Sequence, residues 1–432
     1  MRKIIILIII ITLAILIVIF FIINKKEPIN SLIGTGAIIS PTGNVIDWEK
    51  SSILGVQFDD QNLLVQDTVS SKTLVDLMAE EKPIKILIVP GHDEKSGGSE
   101  FSGIAERKLN VQLAYYLIDL LKEENNITAD VVKNKDGTYA DWFNQYLEEN
   151  KLEIILFKEN SRKIMEKTFK DISPSLNSFI FNNAPEETSL NLYAINKYID
   201  DHQIDIVLHI HFNDHPRKNY NSKGKYSGFS IFVPDSQFLN GEESKNFALA
   251  IKNHLETIIP KSTHPLESRV IIEDQKLIAI GANVSRQNVS ALIEYGYIYE
   301  SQILSKNIRD VFLKELAFQT YLGIREYLRK ENNQDTTLLP HTWDKNMKKG
   351  KGSSEDVLSL QMALKQESLF PPNNKSLQEC ALDGIFGNCT NQAVIDFQEK
   401  YKDETLEPLG YKKGTGFVDS LTISKLNELY SQ

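Results

Sequence analysis

The chain has 432 residues, 41% of them hydrophobic and 25% charged, and a net charge of −10. That length exceeds one ordinary domain and argues for two or three folded units. The acidic balance, with no basic stripe anywhere, argues against nucleic acid or an anionic membrane surface as partner.

Taken in chain order, Met1, Arg2 and Lys3 precede an apolar run from Ile4 to Ile23, interrupted only by Thr12, which Asn24, Lys25 and Lys26 close. Such a run matches the roughly 30 Å hydrocarbon core of a bilayer. No small-residue cleavage site follows Ile23, so residues 1–26 are expected to be an uncleaved transmembrane signal anchor rather than a cleaved peptide. Cations flank both ends, so charge alone sets the orientation only weakly. Residues 27–83, with Gly34, Gly36, Pro41 and Gly43, are expected to form a tether or a small element.

From Lys85 the pattern sharpens. Apolar runs at 85–89, 127–132, 205–211, 227–234 and 290–298 predict strands, and stripes of period 3.6 predict helices over 106–124, about 190–201, 244–258 and about 304–330. Alternating strands and helices predict an α/β domain over 84–330, with a mainly parallel sheet flanked by helices. About residues 136–189 form an insertion longer than a minimal unit needs, either a segment shaping a substrate groove or a surface decoration. The polar stretch 331–350 is expected to be a linker. Residues 351–432 predict a small all-α three-helix unit.

The stretch 205–214 reads DIVLHIHFND, and residues two apart on a strand share a face, so His209 and His211 point the same way. A lone histidine there is more often a packed core residue. Ligands, however, gather at the carboxyl ends of strands in open α/β sheets. The first strand ends in VPGHD, which brings His92 to that edge; Glu106 opens the following helix; the last strand carries Glu294 in IEYGY. Two histidines and a carboxylate with an open water position are a catalytic zinc pattern, and a second carboxylate can act as general base.

His92 in VPGHD, Glu106 in GIAERKLN, His211 in IHFN and Glu294 in IEYG together resemble the motifs of zinc-dependent N-acetylmuramoyl-L-alanine amidases of the type-3 family, over about residues 84–325. The resemblance implies hydrolysis of the amide between N-acetylmuramic acid and L-alanine in bacterial peptidoglycan. It also implies Zn2+ held by His92, Glu106 and His211, with Glu294 as general base. Where the family usually has a small residue, this chain has His209, which either buttresses the metal site through an outer hydrogen bond or packs as a neutral ring. Tyr193 stands where the family favours Arg, and Ser290 where it commonly has Pro, while Asn196 fits.

Past the linker, VLSLQMAL, DGIFGNCTNQAVIDFQ and TISKLN resemble the peptidoglycan-binding domain type 1. A Ser-capped helix is expected near 352–365 and another with Thr390 as N-cap. Cys380 and Cys389 flank the DGIFG turn and are a possible disulfide, which an exported protein permits; two free thiols are the alternative. The whole reads as a single-pass protein of the bacterial cell membrane, its catalytic and wall-binding domains outside the cytoplasm, acting on peptidoglycan and not on nucleic acid. Two other readings remain: a non-catalytic wall-binding scaffold, and a zinc peptidase cutting within the stem peptide, whose HxxE ligand pair is missing here because Lys95 takes the Glu place.

Overall fold

The computed structural model describes residues 37–39, 45–47, 82–95, 97–172, 184–217, 219, 221–236, 238, 240–281, 288–329, 341–351 and 354–430. The chain forms two units, Met1–Gln66 and Asp67–Gln432. In the first, Ala37–Ile39 (β1) pairs antiparallel with Val45–Asp47 (β2). The expected transmembrane segment at 1–26, and the tether apart from this ribbon and residues 82–83, lie outside the described residues. Among the described residues no helix is long and apolar enough to cross a membrane.

The second unit begins with Ile84–Pro90 (β3) and a short ribbon, Glu100–Phe101 (β4) with Ile104–Ala105 (β5). Glu106–Leu121 (α1), Ile127–Val131 (β6), Asp141–Glu149 (α2), Lys151–Ile172 (α3) and Glu186–His202 (α4) follow. Then come Ile206–Asn213 (β7), Ser230–Pro234 (β8), Gly241–Leu255 (α5), Ile271–Asp274 (β9) and Val289–Tyr297 (β10). Ser301–Leu304 (α6) and Lys306–Arg329 (α7) close the domain. The helix expected over about 304–330 is Lys306–Arg329, preceded by the one-turn helix Ser301–Leu304, with Ser305 extended between the two.

Six strands form one sheet in the order β6-β3-β7-β10-β8-β9. The first four are mutually parallel; β8 runs antiparallel to β10, and β9 parallel to β8. The sheet is therefore mixed but mostly parallel. Its central strands are covered on both faces, which is why they read as continuous apolar runs. Ile86 and Ile88 of β3, with Leu208 and Ile210 of β7, face a core built with α1, α5 and α7. Leu87, Val89 and Val207 face the opposite side, against Phe143, Tyr146, Ile154, Tyr193 and Ile199 of α2, α3 and α4. On α1, Leu109, Leu113, Leu117 and Leu121 form the buried stripe, each worth about 1.5–3 kcal/mol. Within the segment 136–189, Phe143 of α2 and Ile154 at the start of α3 are supplied to the second core, so this described part is a structural layer and not a surface decoration.

The tail is helical: Glu355–Gln366 (α8), Asn388–Lys400 (α9), Lys402–Thr405 (α10) and Ser420–Tyr430 (α11). The Ser354 hydroxyl caps α8 by accepting from the Val357 amide at 3.1 Å. Thr390 is not a cap: α9 starts at Asn388 behind Gly387, and Thr390 is buried, donating to the Ile385 carbonyl. Trp343 and Met347 are buried with the tail, the Trp343 indole donating to the Asp356 carbonyl at 2.9 Å. Cys380 and Cys389 are joined by a disulfide. The apolar core continues from α7 into this module. A cavity of about 220 Å³ at the junction is lined by Ile258, Gln319, Met362 and Lys365 among others, and by no candidate site residue.

Candidate active site

Parallel register brings the sequence-separated residues together. Glu294 is the cross-strand partner of His211, and His209 pairs with Val89 on one side and Leu292 on the other. The register shifts between Glu294 and Tyr297, directly after the carboxylate; such irregularities re-aim side chains beside active sites. His92 follows β3 in a turn where Gly91 donates to the Ile210 carbonyl at 2.9 Å.

The His92, Glu106 and His211 donor atoms lie within 4.8 Å of one another. Glu106 Oε1 is 3.2 Å from His92 Nε2 and 3.2 Å from His211 Nδ1. The same carboxylate accepts from the Phe212 amide at 3.2 Å and the Ser99 amide at 2.8 Å. Burial works to raise the pKa of Glu106, but the hydrogen bonds and charges of His211 and His92 prevail and hold the carboxyl below its usual range. Burial pulls the His211 imidazole down, against the pull of Glu106. Ligands must be a deprotonated carboxylate and neutral imidazoles, and these shifts favour both. Two imidazoles and one carboxylate with one side open fit a catalytic zinc ion by donor set.

His92 adopts φ of 58°, a left-handed conformation that costs a residue other than glycine about 1–3 kcal/mol. Its surroundings hold it there. The Lys133 ammonium donates to the His92 carbonyl, and Asn110 Nδ2 to the Gly91 carbonyl at 3.0 Å. Lys133 is 2% exposed, and burial brings its pKa down to about 8 against the charges of Asp93 and Glu106. A Cβ on Gly91 would sit 2.1 Å from the His211 ring, and one on Gly98 2.7 Å from the His92 ring, so both glycines are needed for close approach.

Glu294 is partly buried, and its Oε2, shielded from solvent, has no hydrogen-bond partner. Burial first, then the negative charges of Glu106 and Glu267, raise its pKa well above the carboxylate range. His209 is 1% exposed; its ring bonds to the Ala279 backbone, Nε2 has no partner, and burial pulls its pKa down to about 3. None of its hydrogen bonds reaches a candidate ligand.

Sequence reasoning did not single out Lys133, Asn110 or Glu267. Lys133 stands just past the end of β6, at the edge that carries the other groups, and Asn110 is one turn after Glu106 on α1; those placements were the available signals. Glu267 lies in an irregular stretch that offers none.

Residues 86–326, more than half of the chain, match the family model described as N-acetylmuramoyl-L-alanine amidase. No curated protein matches the chain. Among solved structures, it is similar to the CwlD amidase from Clostridioides difficile in complex with the GerS lipoprotein, at 15% identity over 57% of this chain and 100% of that one, TM-score 0.38. It is also similar to the amidase Ami1 from Mycobacterium smegmatis, at 14% over 58% and 99%, TM-score 0.38. A third is the catalytic domain of CwlV from Bacillus (Paenibacillus) polymyxa var. colistinus, at 15% over 57% and 100%, TM-score 0.35. The family assignment rests on the sequence match over the whole α/β domain: the chain belongs to the N-acetylmuramoyl-L-alanine amidases and is a hydrolase of that class.

Proposed function

We propose that the amidase holds Zn2+ through His92, Glu106 and His211 and uses Glu294 as general base. On this reading the tail binds peptidoglycan, and residues 1–26 anchor the protein in the membrane with its bulk outside the cytoplasm. The observation that carries the reading is the convergence of three donor atoms within 4.8 Å, with the unpartnered carboxylate of Glu294 on the adjoining strand. Bound there, zinc would polarise the scissile carbonyl and lower the pKa of water to about 7.

The chain's own residues do the rest. A carboxylate whose surroundings raise its affinity for a proton is suited to take one and return it. Glu294 takes the proton from the attacking water and passes it to the departing L-alanine nitrogen. The Glu106 carboxylate, tied by two backbone amides, keeps both imidazoles turned toward the same point. His209 stays neutral and fills the layer behind His211.

For the tail, support comes from its motifs and from a disulfide compatible with a non-reducing compartment; for the anchor, from the apolar run Ile4–Ile23. A non-catalytic scaffold is disfavoured because an unpartnered buried carboxylate costs stability and serves no folding role. Metal analysis tests the reading. One zinc per chain, lost with activity on chelation and restored with it, is expected. A purified chain that binds no zinc and still cleaves the amide would overturn it.

A further inference from the structure

The carboxylate of Glu267 brackets the two strand ends that carry the site. It stands on a single turn of 3-10 helix, Pro265–Glu267. Its Oε1 accepts from Asn213 Nδ2 at 3.1 Å; its Oε2 accepts from the Tyr297 hydroxyl at 3.1 Å and the Ser262 hydroxyl at 2.6 Å. His264 Nδ1 lies 3.9 Å from Oε1. Asn213 and Tyr297 are cross-strand partners, the pair that follows the register shift. Asn213 is two residues past His211 on β7, and Tyr297 three past Glu294 on β10. Beyond Glu294 the ladder is irregular, and the amide of Ile298 to the Asn213 carbonyl, 2.9 Å, is a backbone bond resuming it.

We propose that Glu267 is a positioning residue for the hydrolysis: by clamping Asn213 to Tyr297 it fixes the offset between β7 and β10, and through it the placement of Glu294 against His211. The inference rests on the reading of Glu294 as base. The clamp requires acceptors on both oxygens or their equivalent. Glutamine can supply this, because its carbonyl accepts from Asn213 and its amide donates to hydroxyls that also accept. Alanine cannot. A misplacement of about 1 Å between reacting groups can cost about 100-fold in rate.

The test uses the detergent-solubilised full chain, zinc-loaded, on peptidoglycan, comparing Glu267→Ala, Glu267→Gln and Tyr297→Phe, with Glu294→Ala in parallel. Glu267→Ala is expected to lower kcat by about 10- to 100-fold while KM, zinc affinity and Tm stay close to wild type. Glu267→Gln is expected to recover most of kcat, and Tyr297→Phe to fall between. Wild-type kcat in Glu267→Ala, or equal losses in the alanine and glutamine variants, overturns the clamp. Should Glu267→Ala fail to fold, wild-type kcat in Tyr297→Phe overturns it instead. Activity retained in Glu294→Ala would remove the underlying reading of the base, an outcome distinct from any at Glu267.

Discussion

Replacing Gly91 by alanine isolates how tightly the backbone seats the proposed ligands. Gly91 is absent from the left-handed positions, so an added methyl brings no backbone strain of its own. It does bring a collision, because the new Cβ would lie 2.1 Å from His211 Cε1 and 2.2 Å from Nε2. Neither side yields freely. Gly91 is bonded through its amide to Ile210 and through its carbonyl to Asn110, and His211 is held at 3.2 Å by Glu106. Reaching ordinary contact needs a ring shift of more than an ångström, which breaks that bond. Overpacking of this kind costs about 1–3 kcal/mol. Placed on ligand geometry, that is about a 5- to 150-fold loss of zinc affinity at about 1.4 kcal/mol per tenfold. Competition against a chromophoric zinc chelator reads the affinity, and calorimetry of the metal-free variant reads any general loss of fold. An alanine variant with wild-type zinc affinity would refute the argument that Gly91 sets the position of the His211 ring.

Further outcomes follow from the same geometry. Glu294→Gln should keep its zinc and lose about 100- to 10,000-fold in kcat, the usual contribution of a general base; single-turnover assays with metal analysis check both. In the metal-free protein, Glu294 binds its proton more tightly folded than unfolded, because burial and then Glu106 and Glu267 raise its pKa. Its contribution to stability therefore falls as pH rises above the ordinary carboxylate value. Glu294→Gln should raise Tm relative to wild type at pH 8 and much less at pH 4, as parallel melts would show. Reduction of the Cys380–Cys389 bridge, whose cysteines are 9 residues apart, should cost about 2–3 kcal/mol in stability of the tail. Denaturant melts of the full chain with and without reductant would measure that cost.

The proposed ligands and base were legible because each occupies a place that sequence pattern marks: His92 just after an apolar run, Glu106 at a helix start, and His211 with the base Glu294 on strands buried on both faces. The parallel pairing of β3, β7 and β10 follows from the alternation of strands and helices. The reversal at β8 and β9 does not, since 227–234 reads as a strand in either direction and the residues of Ile271–Asp274 are all half-buried, which leaves no apolar run. Thr390 carries the chemistry of a cap, but its hydroxyl is drawn inward to Ile385 and Gln361. The roles proposed for Lys133 and Glu267 rest on contacts with residues 41 and 54 positions away, and no local pattern encodes such contacts.

Product analysis tests the central claim most directly. Purified peptidoglycan is digested with the zinc-loaded full chain and with Glu294→Ala, and the released fragments are read by mass spectrometry. The account predicts stem peptides beginning with a free L-alanine amino group, from the wild type alone. Fragments cut within the stem peptide, or equal release by Glu294→Ala, would contradict it.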